Sequence, residues 1–165
     1  MELNTRTAII SDITLIQSLV HKIWPATYSA ILSEEQIAYM LARFYNSETM
    51  QQQMEQGHRM LILQEGKAAI GFAAFECNYE VQTCKLHKIY LLPETQGKGA
   101  GKFLLNEVIA QAKQMAQSRL LLNVNRYNKA FEFYKRIGFA TIAEEDIDIG
   151  NGYFMNDYIM ELRLS

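Results

Sequence analysis

The run Gln96-Gly97-Lys98-Gly99-Ala100-Gly101-Lys102 stands between a strongly apolar strand pattern and a long amphipathic helix pattern, and it constrains this chain more than any other feature. Ahead of it, Leu86 to Pro93 reads as a buried strand ending at its proline, rich in β-branched, aromatic and aliphatic residues. Behind it, Phe103, Leu104, Val108, Ile109 and Ala112 recur at helical spacing, so the glycines sit at a helix N-terminus. Three glycines with one residue between each let the backbone enter left-handed conformations and turn several N–H groups toward one point. Those donors and the positive end of the helix dipole favour an anion, read here as a pyrophosphate.

Spacing excludes two better-known phosphate motifs. A triphosphate P-loop needs four residues between its first glycine and a Gly-Lys pair followed by Ser or Thr. Here three residues separate Gly97 from Gly101-Lys102, and Phe103 replaces the hydroxyl. The dinucleotide fingerprint G-x-G-x-x-G places its last glycine on Lys102, and no following strand ends in a ribose-binding acid. What remains is Q-x-x-G-x-G, from Gln96 through Gly99 to Gly101. The plain alternative is a helix-start loop that binds nothing, since many helix starts carry glycine.

At 165 residues the chain is expected to form a single domain over 1–165, and its 49% hydrophobic content suffices for a core. Sixteen Lys and Arg against 18 Asp and Glu give a net charge of -2, which argues against nucleic acid or an anionic membrane as partner. Cys77 and Cys84 flank a polar turn with no second Cys/His pair at metal spacing, so no metal is expected and reduced thiols are. A disulfide across the hairpin is the alternative, disfavoured in a reducing compartment. The first residues show neither a signal peptide nor a membrane span, and the cytoplasm is the expected location.

The order of elements predicts an α/β (α+β) domain with a mixed, mostly antiparallel sheet. Thr5 to Ile10 reads as a strand, followed by a helix capped at Ser11-Asp12 that Trp24-Pro25 should end or bend. Ser33 and Gln36 form a capping box for a second helix, and Ser47 to Gln56 is a third. Met60–Leu63, Ala68–Cys77 and Cys84–Leu92 make an antiparallel meander. Arg119 to Val124 is a strand and Lys129 to Ile137 a helix. Phe139–Ile149 and Tyr153–Leu164 form a hairpin turning at Gly150-Asn151-Gly152.

Three segments together resemble the GCN5-related N-acetyltransferase (GNAT) superfamily, which moves an acetyl group from acetyl-coenzyme A to an amine. The first is Ile89-Tyr90-Leu91-Leu92-Pro93-Glu94 leading into the glycine run. The second runs from Asn123-Val124-Asn125 through Asn128-Lys129-Ala130, with Tyr134 and Gly138-Phe139 beyond. The third, looser, is Trp24-Pro25-Ala26-Thr27-Tyr28 with the helix after Leu32, similar to bacterial polyamine acetyltransferases. The resemblance spans nearly the whole chain and implies splayed strands, with a V-shaped gap between Leu86–Leu92 and Arg119–Val124 that takes the pantetheine arm.

Cofactor contacts implied by this resemblance are the backbone of Tyr90, Leu91 and Leu92, the Gln96-Gly97 turn, the N–H groups of Lys98, Gly99, Ala100, Gly101, Lys102 and Phe103, and the side chain of Asn128. Asn128 is equally read as a helix N-cap. Tyr134 matches the family tyrosine that gives a proton to the departing thiolate, a role open to a phenol that is protonated at neutral pH. Its plain alternative is a core aromatic beside Phe131 and Phe133. Where some members carry a basic glutamate on the strand before the loop, this chain has Lys85, His87 and Lys88. The base is therefore left between His87 and Glu76. Trp24, Tyr28 and Tyr39, with Phe75 and Phe154 as walls, are placed around the acceptor, a small-molecule amine such as a polyamine. Competing readings are an acyl-coenzyme A sensor without turnover, a protein or peptide amine as acceptor, and a different donor such as succinyl-coenzyme A. Pairing of Tyr153–Leu164 with a second copy would give a homodimer.

Overall fold

The computed structural model describes residues 2–165. In chain order the elements are β1 (Leu3–Thr7), α1 (Ile13–Tyr28), α2 (Glu34–Phe44), α3 (Ser47–Glu55), β2 (Arg59–Glu65), β3 (Ala68–Glu80), β4 (Thr83–Leu91), α4 (Ala100–Gln114), β5 (Arg119–Asn125), α5 (Ala130–Ile137), β6 (Ala140–Gly150) and β7 (Tyr153–Arg163). The seven strands form one sheet in the order β1-β2-β3-β4-β5-β7-β6. Every neighbouring pair is antiparallel except β4 and β5, which run parallel because α4 crosses between them. The mixed, mostly antiparallel sheet matches the expectation. Among the described residues no helix is long and apolar enough to cross a membrane.

Two cores follow from the two faces of the sheet, because successive strand residues point to opposite sides. Leu61, Leu63, Phe75, Leu120 and Leu122 turn to one face and pack under Leu104, Leu105 and Val108 of α4. Met60, Phe72 and Ala74 turn to the other, under Ile16, Val20 and Ile23 of α1 and Met50 of α3. A single side chain such as Phe72, fully buried, contributes about 2–3 kcal/mol by area.

Local departures from the sequence reading have identifiable causes. The first strand stops at Thr7, not Ile10, because Arg6 clasps Asp12 through two hydrogen bonds of 2.9 and 2.8 Å. Asp12 also accepts the Ile9 N–H, and residues 10–12 close into a 3₁₀ turn. Arg6 holds the Asp12 carboxyl below the usual carboxylate range. Asp12 thus ties the turn instead of capping α1 with its side chain. Pro25 does not end α1, which continues to Tyr28. The ring sits on the exposed side, while Trp24 and Tyr28 anchor the last turn in the core. At α2, Ser33 Oγ accepts the Gln36 N–H at 3.1 Å, yet the Gln36 side chain bonds the Phe154 carbonyl at 2.9 Å. Half of the expected capping box is therefore spent on docking α2 to β7. β7 itself lies between β5 and β6, with both edges paired, so it cannot add a strand from a second copy.

One buried charge stands out. Lys88 of β4 is 9% exposed, donates to Gln53 Oε1 at 2.9 Å and lies 4.4 Å from the centre of the Tyr45 ring. Desolvation pushes its ammonium down to about 8. The unfolded chain binds the proton more tightly, so stability rises with pH between about 8 and the ordinary lysine value of 10.5. Lys88→Met is expected to raise the unfolding free energy at pH 7 by on the order of 2 kcal/mol, with the gain shrinking toward pH 10. Urea unfolding at the two pH values measures it, and an equal gain at both contradicts the assignment.

Candidate active site

β4 and β5 pair through only four residues, from Thr83 opposite Arg119 to Leu86 opposite Leu122. Beyond that point β4 stays on β3 and β5 stays on β7, so the two strands part. The cause lies on the other edge of β4. Ala74 opposes Lys88 and Phe75 opposes Leu86, which leaves His87 as the extra residue of a β-bulge. The bulge bends β4 away from β5 and opens the expected V-shaped gap.

The open edge of β4 follows from its bonds to β3. The Leu92 N–H donates to the Ile70 carbonyl at 2.8 Å, and the Leu92 carbonyl accepts both the N–H and the hydroxyl of Thr95. Leu92 is therefore committed to the protein. Antiparallel alternation then directs Tyr90 to β3 as well, and turns the N–H and C=O of Ile89 and Leu91 toward the gap. Of the three backbone positions expected at the cofactor, Leu91 faces the gap, whereas those of Tyr90 and Leu92 are paired with β3 and Ile89 shares the open edge instead.

At the end of the gap the chain passes through a 3₁₀ turn at Pro93–Thr95 into the glycine run. Gly97 and Gly99 have φ of 79° and 81°, in the left-handed region that favours glycine, and Gly99 is the N-cap of α4. Gln96, Gly97, Lys98 and Gly99 are exposed. Among the described residues, none of the N–H groups from Gly97 to Lys102 has an acceptor, whereas the Phe103 N–H already bonds the Gly99 carbonyl at 3.0 Å. The row of donors thus ends one residue earlier than expected. Gly101 serves packing: a Cβ there would lie 3.1 Å from Leu91 Cδ1.

Three phenols converge at the gap, Tyr28 and Tyr90 from the α1 face and Tyr134 from the core under α4. Tyr28 and Tyr90 share a hydrogen bond of 2.9 Å between their hydroxyls. Tyr134, from α5, is buried at 6% exposure and interacts electrostatically with both. Burial raises all three, Tyr28 to about 12 and Tyr90 and Tyr134 well above the ordinary phenol value. Each is therefore a proton donor across the working pH range. Asn128 Oδ1 accepts the Ala130 N–H at 2.9 Å and so stabilises the first turn of α5, the capping role. Its side chain also partly offsets the rise at Tyr28.

At the apex of the V, sequence reasoning missed a polar network. Lys85 Nζ donates to Asn123 Oδ1, and Asn123 Nδ2 donates to Asp157 Oδ2 at 3.3 Å. Asp157 is 3% exposed, and burial raises its carboxyl above the ordinary value. The signal was present in the sequence, because Tyr153, Met155, Asp157 and Ile159 share one face of β7 and Asp157 is the acid among them. Glu145 lies directly opposite Asp157 on β6, and Glu144, Asp146 and Asp148 continue the acidic strand, answered by Arg126 at 2.6 Å from Asp146.

The expected acceptor residues divide. Trp24 packs on Tyr28, Tyr45 and Tyr90 at centroid distances of 4.7, 5.6 and 5.8 Å, which puts it beside the phenols but inside the core. Tyr39 bonds the Ile149 carbonyl at 2.6 Å and Phe154 is exposed at the start of β7, so both belong to the contact between α2 and the β6–β7 hairpin. Phe75 is not brought to this side, because alternation buries it fully under α4 on the opposite face. Glu76 and His87 do meet, His87 Nε2 lying 3.0 Å from Glu76 Oε1. Desolvation pulls His87 well below the usual imidazole range, despite the opposing bond to Glu76. Cys77 and Cys84 are free thiols, and burial pushes the Cys84 thiol up, away from a reactive thiolate.

Comparison with known proteins places this geometry. A profile described as "Acetyltransferase (GNAT) domain" matches residues 29–162. A spermidine N(1)-acetyltransferase of Thermoplasma acidophilum is 30% identical, with 98% of this chain and 97% of the relative covered. A [ribosomal protein bS18]-alanine N-acetyltransferase of Haemophilus influenzae is 29% identical, covering 83% of this chain and 88% of the relative. Among solved structures, the PaiA N-acetyltransferase of Thermoplasma acidophilum, in complex with coenzyme A, superposes with a TM-score of 0.83 at 27% identity and covers 99% of each chain. With the profile spanning most of its length and the splayed β4 and β5 in place, this chain belongs to the GNAT family of acetyltransferases.

Proposed function

We propose that this N-acetyltransferase moves the acetyl group of acetyl-coenzyme A directly to a primary amine of a small cationic acceptor, a polyamine or related alkylamine. The observation that carries the donor half is the pairing of an open β4 edge with a row of unfilled N–H groups at the start of α4. Those features fit coenzyme A. The N–H groups from Gly97 to Lys102 would hold its pyrophosphate, and the backbone of Ile89 and Leu91 its pantetheine arm. When bound, acetyl-coenzyme A supplies an activated thioester carbonyl. Cys77 and Cys84 offer no acyl carrier, since Cys84 is fully buried and Cys77 lies beside it. Direct transfer follows.

The chain's own residues then manage protons. Tyr134 Oη keeps its proton and offers it to the departing sulfur as a hydrogen bond in a water-poor site. His87 is neutral at physiological pH, donates its Nε2–H to Glu76 Oε1 and stands at the bulge where the gap opens, so its other ring nitrogen, Nδ1, is the acceptor for the proton of the incoming ammonium. The acidic strand of β6 with Asp157 draws a cationic amine to this rim. The spermidine N(1)-acetyltransferase relative supports a polyamine. A peptide N-terminus is the second reading, favoured by the bS18-alanine N-acetyltransferase relative.

A thiol-release assay with spermidine, spermine, monoamines, aminoglycosides and alanine-terminated peptides tests the acceptor. Turnover with the polyamines is expected, and activity confined to peptides overturns the small-amine reading. Tyr134→Phe is expected to lower kcat by about 10²-fold while coenzyme A affinity stays within about twofold, and unchanged turnover removes Tyr134 from the chemistry. Because burial raises the phenol, Tyr134 loses its proton only far above neutrality, and kcat should show no basic limb from it up to pH 10. At the loop, Gly99→Val forces a β-branched residue into a left-handed position and scatters the donors. Coenzyme A affinity measured by calorimetry is expected to fall more than about tenfold, and an unchanged affinity contradicts the pyrophosphate site.

A further inference from the structure

Three consecutive strands bring a second constellation together on the α1–α3 face of the sheet. His58 leads into β2, Glu76 lies on β3, and His87 is the bulged residue of β4. Both imidazoles address the same carboxylate oxygen: His58 Nε2 lies 3.3 Å and His87 Nε2 3.0 Å from Glu76 Oε1. The two rings are parallel to within 2° at a centroid distance of 4.4 Å, so their nitrogen edges face the same way. One ligand atom from each residue falls within 4.8 Å of the others. The side chains are 12%, 27% and 23% exposed in chain order, enclosed on the protein side yet reachable from solvent.

These separations fit coordination. With metal–ligand bonds of about 2.0–2.1 Å in a tetrahedron, ligand atoms stand about 3.3 Å apart. Two of the three edges of such a face are already near that length. Both rings meet Glu76 through Nε2, and an ion taking these two nitrogens would displace the Nε2–H contacts to Oε1, with each ring's one proton moving to Nδ1. His58 Nδ1 is buried without a hydrogen-bond partner, so Glu76 and packing alone orient that ring, and it is free to turn the little needed to aim Nε2 at a shared ion. Lys88, a cation acting on His58, has its ammonium committed to Gln53 and the Tyr45 face. Two imidazoles and one carboxylate are the donor set of zinc-class divalent ions.

We propose that His58, Glu76 and His87 form a binding site for a divalent transition-metal ion, with the remaining coordination positions open to water. An ion on His87 Nε2 moves the ring's single proton to Nδ1, the atom that would otherwise accept the proton of the amine. Occupancy and acetyl transfer therefore oppose each other, a consequence that also rests on the role of His87 proposed above. The site has no counterpart in the sequence pattern, because its three ligands are 18 and 11 residues apart along the chain.

The test is titration of untagged, metal-free protein with Co²⁺, read by visible absorption, and with Zn²⁺ by calorimetry. Micromolar one-to-one binding is expected, with ligand-field bands of low-symmetry cobalt. His58→Asn and Glu76→Gln should each weaken it by more than about tenfold, with circular dichroism confirming that each variant folds. Absence of binding at millimolar Co²⁺ and Zn²⁺, or equal binding by wild type and both variants, overturns the site and leaves a purely hydrogen-bonded cluster. Turnover measured in the same titration separates the two proposals. Inhibition with the midpoint of binding supports both, and bound metal without inhibition removes His87 from proton transfer while the site stands.

Discussion

The parting of β4 from β5 after Leu86 and Leu122 is the constraint on which the rest of the structure depends. Backbone N–H and C=O groups inside a sheet must find partners, and the bulge at His87 denies them to the far half of β4. Ile89 and Leu91 are left with main-chain groups facing a gap instead of a strand. The same departure delivers the chain into the Pro93–Thr95 turn and the left-handed glycines, where a helix N-terminus adds its own unfilled donors. A groove lined by backbone on one side and ended by N–H groups recognises an extended polar chain with an anionic end. No side chain need specify it.

The two faces of the sheet divide the labour. α4 packs its apolar stripe over Leu61, Phe75 and Leu120, so that the glycine loop is carried on a rigid helix. The opposite face holds most of the ionisable groups: the phenols of Tyr28 and Tyr90, which Tyr134 approaches from the α4-side core, the Lys85–Asn123–Asp157 network, and the His58–Glu76–His87 cluster. Burial acts on them in one direction, toward the neutral form. It raises the phenols and the Asp157 carboxyl, and it lowers Lys85, Lys88 and the two histidines.

What was legible in the sequence was local. The glycine run, the helix it starts, the pairing of Met60–Leu63 with Ala68–Cys77 and the hairpin at Gly150-Asn151-Gly152 are set by neighbours a few residues apart, and they stand as expected. Tertiary contacts account for the rest. Pro25 is tolerated inside α1 because Trp24 and Tyr28 anchor the helix beyond it, and Gln36 leaves its cap for the Phe154 carbonyl. Tyr90 was expected to act through its backbone, yet register with β3 turns that backbone inward and leaves the hydroxyl as its contribution. Asp157 and His58 were overlooked because their partners lie across strands, Asn123 on β5 and Glu76 on β3. Spacing along a chain cannot register a cluster assembled by a sheet.

Amide hydrogen exchange with and without coenzyme A tests the central claim most directly, because that claim concerns unfilled backbone donors. Saturating coenzyme A is predicted to slow exchange at Gly97 to Lys102 and at Ile89 and Leu91 by more than about tenfold, while the Leu92 amide, already bonded to Ile70, changes little. Protection of Leu92 in place of Leu91, or of a surface away from the β4–β5 gap, would contradict the account.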